Sequence, residues 1–218
     1  MVEYHQESLD GIPSTVKRLQ EAVSAVEAER DLRANNHLVW RALNQLGSIE
    51  SSFWRDLPPP QRATVDSALS EVHARLRALL RFRLAEVEAA AKQKLAEELL
   101  EMDPAIAYLS RPPLPGLDYD DFDNGVMTPR DEIERVLRAA RSIGLPGAAQ
   151  MEADVHRADE RLRKALETAL KDLGRRNELR GFNKDYFDEG YWWRGMQQKT
   201  LDTMHIRGTP RHKNIRNE

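Results

Sequence analysis

The side chains of this 218-residue chain that could move a proton or hold a metal ion are six histidines and 36 carboxylates, and their spacing assigns them neither task. His73 and His156 fall in helical stretches, and neither belongs to a Glu-x-x-His pair of the kind that builds carboxylate-bridged metal sites in helical bundles. Glu152 and His156 stand four apart on one helix face, where a surface ion pair is the ordinary outcome. His37 and Trp40, one turn apart, suit a partner-facing pocket or, more commonly, a filled core position. The densest carboxylates are Asp118, Asp120, Asp121 and Asp123, ahead of Asn124 and Gly125. Matching Gly125 to the turn glycine of a calcium loop puts Phe122 at a ligand position and Asp131 where the closing glutamate belongs, so the loop chemistry fails. The run reads as an exposed acidic linker or a docking strip for a basic partner.

Other chemistries lack their signatures. There is no cysteine, which removes thiolate nucleophiles, disulfides, zinc ribbons and iron–sulfur ligation together. No nucleophile elbow, phosphate loop or dinucleotide fingerprint follows a strand, because no segment reads as a strand. The expectation is therefore a protein with no catalytic residues, no metal and no cofactor. An enzyme would need a bundle site assembled from residues scattered along the chain.

The most unusual local feature is aromatic. Phe182, Tyr186, Phe187, Tyr191, Trp192 and Trp193 crowd into twelve positions, and Arg194 follows. Trp, Tyr and Arg dominate binding hot spots, so Tyr186, Phe187, Tyr191, Trp192, Trp193 and Arg194 are the candidate partner-binding residues. Two other readings use the same residues. The segment could fold back so that the rings cap a helical core, or the rings could stack on RNA bases while basic residues track phosphates. Asp185, Asp188 and Glu189 weigh against the nucleic-acid reading. Charge is uneven here: residues 117–132 carry −5, and residues 174–218 carry +4.

The elements that must position these residues are helices. Charged residues make up 32% of the chain and aromatics 6%, and Ala, Leu, Glu and Arg fill long stretches, as in long helices and coiled coils. Val16, Leu19, Val23 and Val26 form one stripe after Pro13, which suits a first helical position. Arg30 and Arg33 interrupt it, and Leu38, Val39, Leu43, Leu46 and Ile49 resume it with a shift, so the helix either rotates or breaks near Asn35 and Asn36. Gly47 weakens this segment without ending it. Beyond Phe53 and Trp54, the prolines Pro58, Pro59 and Pro60 stop it.

Residues 60–102 contain no internal Gly or Pro and carry a stripe through Val65, Leu69, Val72, Leu76 and Leu79, then Leu80, Leu84, Val87, Ala91, Leu95, Leu99 and Met102. An unbroken helix there would reach roughly 60 Å at 1.5 Å per residue and would need an antiparallel partner, the first helix. After Asp103 and Pro104 comes a short helical stretch, then a Pro- and Asp-rich linker. Thr128 and Pro129 read as the cap and first turn of a short helix ended by Gly144. A further stripe through Met151, Val155, Ala158, Leu162, Ala165, Leu166, Ala169, Leu170 and Leu173 runs to Gly174. Beyond it, glycines interrupt any helix, and residues 207–218 read as disordered on their own.

The reading is an all-α chain: a long antiparallel, coiled-coil-like hairpin (1–103), a linker (104–128), a smaller helical pair (129–173) and an irregular aromatic and basic tail (174–218). It predicts a non-enzymatic subunit, adaptor or assembly factor whose partners are other proteins. Self-association is favoured by Ala-rich flanks such as Ala89, Ala90 and Ala91. The alternative is a nucleic-acid or ribonucleoprotein component using the tail. No apolar run is long enough for a membrane span, the N-terminus is polar, and an intracellular location is expected.

Overall fold

The computed structural model describes residues 2–51, 57–111, 114, 117–180 and 190–206, with side chains described from Ser14 to Met204 within them. The chain is all-α, and no strand occurs among the described residues. The helices are α1 (Val2–Ala28), α2 (Asn36–Glu50), α3 (Pro59–Leu109), α4 (Tyr119–Phe122), α5 (Thr128–Ile143), α6 (Ala148–Arg176) and α7 (Trp192–Ile206), with a π-turn at Asp123–Met127. They form two compact units, each discontinuous in sequence: Met1–Glu101 with Pro129–Ala158, and Met102–Thr128 with Asp159–Glu218.

In the first unit the stripes do what their spacing requires. Val16, Leu19, Val23 and Val26 of α1 are buried, as are Val39, Leu43, Leu46 and Ile49 of α2. Each such side chain contributes about 1.5–3 kcal/mol by transfer. The chain breaks between Ala28 and Asn36, where the Asp31 carboxylate accepts from the backbone N–H groups of Arg33 and Ala34. This turn lets the second stripe start afresh. The helix α2 lies antiparallel to α3, tied by Asn36 to Glu97 at one end (2.9 Å) and Glu50 to His73 at the other (2.9 Å).

Two corrections concern the expected hairpin. The helix α3 bends at Arg83, whose backbone is non-helical (φ −132°, ψ 29°), so residues 60–102 are not one straight rod. The Arg83 guanidinium donates to the carbonyls of Glu29 (2.5 Å) and Arg30 (3.2 Å), just past the end of α1, and to Glu86. A cation there satisfies carbonyls that the finished helix leaves open and suits its negative end. Committing Arg83 inward turns its neighbours out: Phe82 is 86% exposed, and Leu84, expected in the stripe, is 38% exposed. The second correction is that α3 does not serve α1 and α2 alone. Arg77 donates to the Ser142 carbonyl, Gly47 abuts the Arg135 backbone and Arg141 pairs with Glu152, so α5 and the start of α6 complete this unit.

Pro104 does not end α3, which runs on to Leu109. Residues 119–127, expected as extended linker, are helical and lead directly into α5. Thr128 is therefore the first residue of α5 with helical backbone angles and not a cap in front of it. Its N–H bonds to the Asp123 carbonyl five residues back, carrying the register past Pro129, which has no N–H to give. Both later helices close by the same device. Gly144 (φ 77°) ends α5 with bonds from Gly144 N to Arg141 O and from Leu145 N to Ala140 O, and Asn177 (φ 59°) ends α6 with the equivalent pair to Gly174 and Leu173. Gly174 thus lies inside α6. Contrary to expectation, glycine does not prevent α7 either: Gly195 sits in its first turns with open space around it.

Candidate functional site

The acidic run and the basic, aromatic segment, opposite in charge and far apart in sequence, meet in the second unit. Asp118 caps α4 by accepting from the Asp121 N–H (2.7 Å), which fixes how the following carboxylates are spread around the turn. Asp120 then reaches Arg180 (2.8 Å), Phe122 turns into the core at 1% exposure, and Asp123 meets Arg194 (2.6 Å). Asp123 also accepts from the Thr128 hydroxyl (3.2 Å).

The helix α7 supplies the other half. It runs alongside α6 in the same direction: Trp192 stands against Asp159 and Arg163, and Thr200 and Met204 stand against Gly174. Gln197, fully buried, donates to the Tyr119 hydroxyl (2.8 Å) and to the Arg180 carbonyl (2.8 Å), and accepts from Arg194 (3.3 Å). Both amide N–H groups and the amide oxygen thereby have partners, as a buried amide requires. The Arg180 guanidinium also lies over the Tyr119 ring (5.5 Å). Burial raises the Tyr119 phenol above its ordinary value. The hydrogen bond from Gln197 opposes that, and the nearby Asp123 charge adds to it. The described polar groups of this network face one another, so it acts as a tie between segments.

This geometry locates the candidate partner-binding residues. Tyr191 and Trp193 are buried at 3% and 0% exposure and touch each other (ring centroids 5.2 Å), and Arg194 is buried at 5%. Trp192 is half-buried, with its indole N–H donated to Asp159 (3.2 Å) and the Arg163 guanidinium 4.1 Å above its ring. These four residues anchor the segment to its own chain, the fold-back arrangement. Tyr186 and Phe187 lie outside the described residues, as do Phe182 and residues 207–218. Sequence reasoning missed Gln197 and the Asp123–Arg194 pair. The only signal for them was the opposite charge of the two segments, which carries no register.

Beside the tie lies a half-open cavity of about 260 Å³, lined by Ala105, Tyr108 and Leu109 of α3, by Leu117, and by Asp121, Phe122 and Val126. A second recess in the first unit, among Val26, Leu43, Leu76, Val87 and Ile143, is apolar and too small for a ligand at about 10 Å³. Among the described residues no three His, Asp or Glu side chains gather as metal ligands. His73 pairs with Glu50, Glu152 pairs with Arg141 in place of His156, and Trp40 is a core residue while His37 is exposed. No described helix is long and apolar enough to cross a membrane. Comparison with known proteins finds no matching family model, no matching curated protein and no matching solved structure.

Proposed function

We propose that the chain is a non-catalytic interaction subunit, an adaptor or assembly factor acting inside the cell, and that it engages another protein through the bend of α3. One observation carries this reading: Phe82 and Leu84, flanking Arg83 in sequence, stand 86% and 38% exposed at a point where the helix gives up regular geometry and directs an arginine inward. Large apolar groups rimmed by polar ones mark contact sites. The rim carries both signs, since Arg30, Arg33 and Arg81 are exposed while Glu29 and Asp31 accept backbone N–H groups with their charge intact and Glu86 pairs with Arg83. A partner presenting an apolar residue among polar groups of both signs fits it.

Tyr191 and Trp193 are packed against their own chain, and among the described residues the exposed large apolar side chains all lie on α3. Its exposed large apolar side chains are Phe82, Leu84, Leu100 and Tyr108. Affinity capture with the intact chain and with Phe82→Glu tests the reading, with light scattering on both to score self-association. The expected result is loss of the captured partner, or of the dimer, with unchanged helicity. Equal capture by both chains would overturn it. Capture that collapses between low and moderate salt but ignores Phe82→Glu would favour the nucleic-acid alternative.

A further inference from the structure

We infer that the cavity under α4 binds an alkylammonium group, the chemistry of a lysine side chain or of a free aliphatic amine. The cavity goes beyond the interaction reading above, because it lies in the other compact unit and uses none of the residues at the α3 bend.

Three observations converge on this ligand. The first is size. About 260 Å³ falls at or below the roughly 300–1,000 Å³ of pockets for drug-sized molecules, so it suits a single side chain or a short alkyl chain. The second is lining. Ala105, Leu109, Leu117, Phe122 and Val126 offer an apolar sleeve, and Leu109, Leu117, Phe122 and Val126 are themselves buried, which makes the walls part of the core. An aliphatic stem gains there by leaving water.

The third observation is charge at the mouth. Of the four aspartates in the acidic run, Asp118 is spent on the α4 cap, Asp120 on Arg180 and Asp123 on Arg194, Thr128 and Tyr119. Asp121 lines the cavity, and its carboxylate makes no such bond among the described residues. Its backbone N–H is the group held by Asp118, and the residue is exposed at the edge of the cavity it lines. A carboxylate beside an apolar sleeve selects an ammonium on an alkyl chain over an anion or a neutral alcohol of equal length.

The test uses the full-length chain and nuclear magnetic resonance titration with n-hexylammonium, n-hexanol and n-hexanoate, and in a separate arm a short acetylated peptide of alanines around one lysine. Resonances of Leu109, Phe122 and Val126 should shift with hexylammonium or the lysine peptide, less with hexanol and least with hexanoate. The arm that binds more tightly identifies the source. Asp121→Asn, which removes no side-chain bond among the described residues, should weaken the ammonium ligand about two- to fivefold, the range of an exposed ion pair, and leave hexanol unchanged. Val126→Trp, filling the sleeve, should abolish all shifts. Absence of shifts with both ammonium probes, or equal binding of all three hexyl compounds regardless of Asp121, would overturn the assignment. Unchanged amide spectra of the free variants separate lost binding from lost fold, and an intact Phe82-dependent interaction distinguishes this failure from failure of the interaction reading.

Discussion

At the residue scale, the Arg194 guanidinium is buried and bonded to both Asp123 and Gln197. Removing one partner of a buried ion pair leaves the other desolvated and unpaired, at about 3–5 kcal/mol. Asp123 keeps some solvent contact and the Thr128 hydroxyl, so Arg194→Ala should fall near the low end in a denaturant melt. Adding Asp123→Asn should return part of the loss, as coupled neighbours do. Glu132 gives a prediction of opposite sign. Burial raises its carboxyl above the ordinary range, and Glu98 and Asp131 push the same way against Arg135 and Lys94. With the folded value above the unfolded one, the charged form costs stability at neutral pH, and the cost fades as pH falls through the raised value. Glu132→Gln should therefore raise the melting temperature near pH ~7 and lose that advantage at about pH 4.

At the element scale, two helical glycines that look alike in sequence should respond oppositely to alanine. A Cβ on Gly47 would stand 2.0 Å from the Arg135 carbonyl oxygen, a backbone atom that cannot swing away, so α2 and α5 cross at a distance only glycine allows. Gly47→Ala should destabilise by about 1–3 kcal/mol through overpacking, net of any gain in helix propensity. A Cβ on Gly195 in α7 would meet nothing within 4 Å, so Gly195→Ala should stabilise by up to about 1 kcal/mol. Urea unfolding of both variants checks the pair. The bend of α3 belongs to the same scale: residues 60–102 hold no internal Gly or Pro to announce it, because its partner is the end of α1.

At the scale of the whole molecule, the two compact units interleave along the chain, and α7 is core to one of them. Trp193 and Gln197 are fully buried, and Tyr191 and Leu201 nearly so. A chain cut at residue 173 should therefore lose near-ultraviolet dichroism and bind a hydrophobic dye, keeping much of its helicity. Retention of native near-ultraviolet signal would show that α7 is dispensable. The same burial makes such a cut a poor test of partner binding, since it removes structure together with surface.

The periodicity of apolar residues determined the helical class and the stripes of α1, α2 and α6, because a 3.6-residue repeat fixes which face must leave water whatever the partner. Composition likewise determined what chemistry the chain lacks the residues for, such as that of thiols. Tertiary structure alone decided where the acidic run went. Prolines and aspartates favour turns locally, yet Phe122, Val126 and Met127 found a core and Asp120 and Asp123 found arginines some sixty to seventy positions away. It also decided that Trp193 faces inward and Phe82 outward. A side chain's burial depends on what the rest of the chain brings to it, and a pattern along one segment cannot contain that partner.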